Sequence, residues 1–168
     1  MALIVAGTTL TGIIPGNIGF SAYKTSTTSN YSSGSWHTIT FQGEYFDSNG
    51  LYNTGDGVCT ITSATAGKWV FGYSVQAEFA GGGAERDQNY FCLLHNDAGT
   101  GNRWENSHEM TGDYHEKHGA SQTIIVDMQN TDDMQVQYYH NSGSSNGYIN
   151  GGNHGNRTAN FWGYRIST

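Results

Sequence analysis

Residues 61–79 read ITSATAGKWVFGYSVQAEF. Past Gly67, large apolar side chains fall on every second position, Trp69, Phe71, Tyr73 and Val75. Successive side chains on a strand point to opposite faces, so this spacing predicts a strand with one face buried and one face wet. The same period returns at Ile124, Val126 and Met128. A strand with one apolar face must be covered by another, and two sheets packed face to face supply that cover.

Outward from this segment, strand-like runs recur along the chain: FSAYKT, WHTITF, VCTITS, NYFCLL, QTIIVDM, MQVQYY and NFWGYRI. Between them lie DSNG (47–50), NTGDG (53–57), NDAGTGN (96–102) and NSGSSNG (141–147), rich in residues that accept positive φ or make Asx turns. No stretch carries helical periodicity. The fold class expected is therefore all-β, and 168 residues suffice for one sandwich and leave no room for a second domain.

Composition narrows the function. Fourteen acidic residues against seven basic ones give a net charge of -7, and seven of the acids fall between Glu85 and Lys117. That balance argues against a nucleic-acid partner. No apolar run approaches the ~20 residues needed to cross a bilayer as a helix, so membrane insertion is not expected. The opening MALIVAG lacks a basic n-region and has too short an apolar core for a signal peptide, which predicts synthesis in the cytoplasm.

The chain divides into an arm, residues 1–18, and a body, residues 19–168. The one proline, Pro15, stands at the junction. In the arm the apolar clusters ALIV and GII could pair as short extended pieces, too small to be stable alone. A docking role or a frayed terminus both fit such a segment.

At Ile61 to Phe71 the string ITSATAGKWVF resembles the signature F-T-x-P-x-x-G-x-Y-x-F of the globular-head family of the complement component-one q subunit, a branch of the tumour-necrosis-factor-like jelly rolls. Gly67 falls on the turn glycine, Trp69 on the following aromatic, Phe71 on the next inward position and Ile61 on the first aromatic. Ala64 departs from the usual proline. On either side of it, FSAYKT, TITF and NGLYNTGDG before and CLLHND, TDDMQVQYY and FWGYRI after fall in family order, so the resemblance spans Phe20 to Ile166. It implies a ten-strand, two-sheet jelly roll that forms homotrimers around a threefold axis, binds proteins, sugars or other surface ligands, and does not catalyse. Many such domains hold calcium near the trimer apex.

Two cysteines, Cys59 and Cys92, are too few for a disulfide framework. Cys59 shares parity with Ile61 and should face the core, whereas parity does not place Cys92. The resemblance puts their strands in opposite sheets, and both are expected as packed free thiols.

The most chemically loaded segment is RWENSHEMTGDYHEKH, residues 103–118. It carries His108, His115 and His118 beside Glu105, Glu109, Asp113 and Glu116, side chains that suit a divalent transition metal if a trimer brings three copies together. HEKH lacks the HExxH spacing, and the plainer reading is a solvated loop between strands. Trp104 in that loop would stack on a sugar or anchor a protein if exposed, or fold back on the sandwich edge if buried. Trp104, His108, His115 and His118 are carried forward as candidate ligand-binding residues. Asp47, Asp56, Asp97, Asp132 and Asp133 offer oxygens for calcium, but without a loop motif each reads as a turn cap. No cofactor is assigned, and calcium or another divalent metal is the ion such groups would take.

No nucleophile elbow, P-loop or dinucleotide fingerprint occurs, and no catalytic carboxylate pair is legible from spacing. The expected function is a virion structural protein of a bacteriophage, a trimeric module on capsid, tail or fibre. It would meet other virion proteins through the arm and a host-surface glycan or protein through its loops. A free lectin-like or protein-binding recognition module is the alternative.

Overall fold

The computed structural model describes residues 4–5, 8–9, 18–80, 87–97, 100–110, 117–141, 146–151 and 159–167. Within the arm, β1 (Ile4–Val5) pairs antiparallel with β2 (Thr8–Thr9). The GII segment, with which ALIV could pair, lies outside the described residues.

The body follows as β3 (Gly19–Tyr23), β4 (Thr28–Tyr31), β5 (Trp36–Thr38), β6 (Gly43–Asp47), β7 (Tyr52–Asn53) and β8 (Val58–Thr60). Longer strands come next: β9 (Gly67–Ala80), β10 (Asp87–Asp97), β11 (Thr100–Met110), β12 (Lys117–Met128) and β13 (Asp133–Asn141), then β14 (Asn146–Ile149) and β15 (Asn160–Ser167). They form two antiparallel sheets. One has six strands, β11-β10-β13-β8-β7 with β5 also on β13; the other has seven, β4-β14-β9-β15-β3-β6 with β12 on β9. All eight runs expected from the sequence become strands. Most of the additional ones, such as β7, are short pieces that carry too few residues to show a period, whereas β11 runs eleven residues and is polar along most of its length.

β9 is the spine of the seven-stranded sheet. One edge pairs with β12 from Gly67 to Glu78, and the other is shared between β15 and β14. Trp69, Phe71, Tyr73, Val75 and Ala77 are all buried, as the alternation requires. Ahead of the strand, Thr62 to Thr65 fold into a turn whose Thr65 carbonyl accepts the Trp69 indole N–H at 3.0 Å. Burying so large a ring therefore leaves no donor unmade.

From the facing sheet come Phe91, Leu93, Met134, Val136, Tyr138 and Cys59, and from the connections Ile39 and Phe41. Phe20, Tyr52, Phe71 and Phe161 contact one another as rings. Gly163 makes this cluster possible. A Cβ there would meet a Phe71 ring carbon at 2.5 Å and a Phe20 ring carbon at 2.9 Å.

Cys59 and Cys92 are both buried free thiols. The expected reason needs correcting, because β8 and β10 belong to the same sheet, flanking β13. Cys59 stands opposite Met134 and Cys92 opposite Gln137, three residues along the shared strand. An odd offset places the two thiols on opposite faces of the sheet, which keeps them apart.

Candidate interaction surfaces

Within the charged segment 103–118, residues 103–110 lie in β11 and 117–118 open β12, so these parts are strand where a loop is expected. β10 presents a free edge, and β11 fills it over eleven aligned residues, Asp87↔Met110 to Asp97↔Thr100. Backbone bonding carries such an edge strand, and charged side chains along it discourage a further strand from adding. Trp104 stands opposite Leu93, on the core side of the sheet. It packs against the core, with its ring nearly parallel to His95 at 6.2 Å.

Beneath it His95 Nε2 lies 3.0 Å from Asp132 Oδ2, both side chains buried. The same carboxylate oxygen accepts the Gln129 N–H at 2.7 Å. Trp104 thus closes the edge of the sandwich over a buried His–Asp pair. Sequence reasoning passed over His95 because it lies within an apolar strand run.

His108 lies in β11 opposite Asn89, and His118 lies in β12 opposite Ala77. Their backbones belong to different sheets. His115 and the side chains of His108 and His118 lie outside the described residues, as does the Asp97 side chain. Two of the other aspartates cap turns: Asp47 accepts the Asn49 and Tyr52 N–H groups, and Asp56 accepts that of Val58.

The outward face of the seven-stranded sheet has no layer over it among the described residues. Register puts Ile125 beside Val70, Val70 beside Tyr164, and Trp162 beside Gly72. A Cβ on Gly72 would sit 2.3 Å from the Trp162 ring, so the indole lies directly on the glycine backbone. Tyr164 contacts Trp162 and Phe46, and Tyr23 contacts Tyr45, which carries the apolar row to β6. Ile125 is 64% exposed, Tyr45 50%, Ile166 46%, Tyr164 40% and Phe46 37%.

The outward face of the six-stranded sheet is different. Trp36, Tyr139 and Tyr90 come from β5, β13 and β10 and touch in turn, with ring centroids 5.4 and 5.6 Å apart. Arg103 on β11 reaches the Trp36 ring, its guanidinium carbon 4.6 Å from the centroid. Trp36 and Arg103 start on strands separated by β13 and β10, so their contact arches over both. Under that arch lie Cys92 and Gln137, opposite each other in register. Cys92 is fully buried although, among the described residues, no second sheet lies over this face. Burial pushes the Cys92 thiol up to about 12, against a smaller downward pull from Arg103.

Comparison with known proteins places this architecture. No protein-family model matches the chain, and no curated protein matches it. Among solved structures, the globular domain of zebrafish complement 1qA protein superposes with a TM-score of 0.59 at 15% identity, covering 89% of this chain and 98% of that one. Eiger TNF from S. frugiperda superposes with a TM-score of 0.60 at 7% identity, covering 90% of this chain and 93% of that one. The fold is a complement-q/tumour-necrosis-factor-like jelly roll.

Within this jelly roll neither outward surface was among the residues singled out from sequence. The signal was present in parity. Tyr90 and Tyr139 each stand one position off an inward residue, Phe91 and Tyr138, and so had to face out.

Proposed function

We propose that this chain is a self-assembling binding module, a homotrimer closed through the outward face of its seven-stranded sheet. The observation that carries this is the apolar row from Ile125 through Tyr164 to Phe46, exposed on a sheet of otherwise ordinary packing. Soluble chains rarely leave a contiguous apolar face of this kind open to water. A closed ring of three copies buries one face per chain without leaving an edge for further growth. Sedimentation equilibrium should give three times the chain mass, and Ile125→Asp should give a folded monomer with the wild-type circular dichroism. A wild-type monomer at tens of micromolar would overturn the reading.

A finer version places the trimer on a bacteriophage particle, made in the host cytoplasm and docked by residues 1–18. The support is the arm itself, a short apolar segment able to form the β1–β2 return. Removing residues 1–17 should leave a trimer and abolish incorporation into particles. The ligand would be a host-surface glycan or protein, recognised without chemistry. Release of reducing sugar from host polysaccharide would contradict that.

A further inference from the structure

A shallow, open cleft of about 240 Å³ on the six-stranded sheet is lined by Trp36, Tyr90, Tyr139 and Glu105. Three aromatic rings and one carboxylate line it, so the ring faces and Glu105 present negative potential. Aromatic faces carry negative potential, and a carboxylate only accepts hydrogen bonds. Two positions from Tyr139 on the same face, Gln137 is only 9% exposed, and its side-chain carbonyl oxygen has no hydrogen-bond partner. A buried acceptor left unmatched costs free energy until something donates to it.

A cation of the chain itself already sits on this surface. Arg103 places its guanidinium 4.6 Å from the Trp36 centroid, inside the ~6 Å range of cation–π attraction. Arg103 is exposed and reaches the ring from β11, across two strands. It can therefore swing off the ring from the surface. The chain as a whole, at -7, favours a positively charged ligand.

We infer that this cleft binds an organic cation, a quaternary ammonium or guanidinium group, and that Arg103 occupies the Trp36 face as its internal stand-in. The ligand displaces Arg103, stacks on Trp36 and Tyr139, and lies against Glu105. A neutral polyol is the poorer match, because it gains nothing from the ring potential. The inference deepens the binding-module reading and does not depend on the trimer.

The test follows the indole N–H resonance of Trp36, assigned with Trp36→Phe, in isotope-labelled protein. Tetramethylammonium and acetyl-arginine amide are titrated at constant ionic strength, with methyl glucoside as the neutral probe. The expected result is a saturable shift with either cation, on the order of millimolar. Arg103→Ala should tighten tetramethylammonium about two- to fivefold by vacating the ring, and Glu105→Gln should weaken it by a similar factor. Arg103→Lys should stay near wild type. The Trp69 indole resonance reports that each variant is folded.

Response to only one cation identifies the source of the group and supports the inference. A shift with methyl glucoside alone, no saturable shift in wild type and Arg103→Ala, or weaker binding in Arg103→Ala overturns it. Sedimentation of the same samples reports the trimer separately, so failure here is distinguishable from failure of that reading.

Discussion

Cys92 shows how one residue depends on side chains far from it in sequence. Its strand neighbours belong to an outward face, and the cover expected for it is the Trp36–Arg103 contact that spans its strand. A thiol reacts as thiolate, so the upward shift from burial and the loss of access both silence it. Arg103→Ala should let a disulfide reagent such as dithionitrobenzoate titrate Cys92 in the native protein, within minutes, while Cys59 reacts only after unfolding. Equal protection of both thiols in that variant would show that the arch is not the cover. At the same scale, Asp132 supplies one oxygen to two donors, His95 and the Gln129 N–H. Asp132→Ala leaves both unpaired and should cost about 2 to 3 kcal/mol, read from urea denaturation.

Among the elements, β9 and β11 mark what sequence could and could not show. β9 was legible because its inward positions are Trp69, Phe71, Tyr73 and Val75, and period two survives any tertiary detail. β11 was not, because its described inward positions offer one large apolar residue, Trp104, and its pairing is supplied by the edge of β10. Backbone hydrogen bonding has no residue signature, so a polar edge strand and a polar loop look alike. The strand position of Trp104 was hidden for the same reason. Trp104 was read as a loop residue, whereas the arch that matters joins β5 to β11, a contact no spacing reveals. Trp104→Ala should therefore act first on stability, by about 2 kcal/mol, since it uncovers the His95–Asp132 pair. β15 gives a sharper case. Gly163→Ala drives a methyl into Phe71 and Phe20 and should lower stability by about 2 kcal/mol. An unchanged urea midpoint would mean that the aromatic cluster has slack.

At the scale of the whole molecule, buried amine, thiol and phenol groups oppose one another as pH rises. Lys24 is buried with its ammonium donating to the Thr40 carbonyl at 2.9 Å. Desolvation lowers it from 10.5 to about 8. Below pH 8 both states hold the proton and the folded state bears the full cost of a buried charge. Between 8 and 10.5 the unfolded chain holds a proton that the folded one has lost, so stability rises with pH. Cys59 and Cys92 run the other way. Burial raises both above their ordinary value of 9.0, so above pH 9 the unfolded chain loses protons first and stability falls. Tyr52 and Tyr73, raised from 10.0 by burial, add to that fall above pH 10. One amine works against two thiols, so the thiols win once they titrate. Unfolding free energy from urea denaturation should climb by a few tenths of a kcal/mol, roughly, as pH rises from 8 towards 9, peak near there, and then drop with increasing steepness. Lys24→Met should remove the climb, and the double substitution Cys59→Ser, Cys92→Ser should postpone the drop to the tyrosine range. A wild-type profile that falls from pH 8 onward would place the Lys24 ammonium in water instead of in the sandwich.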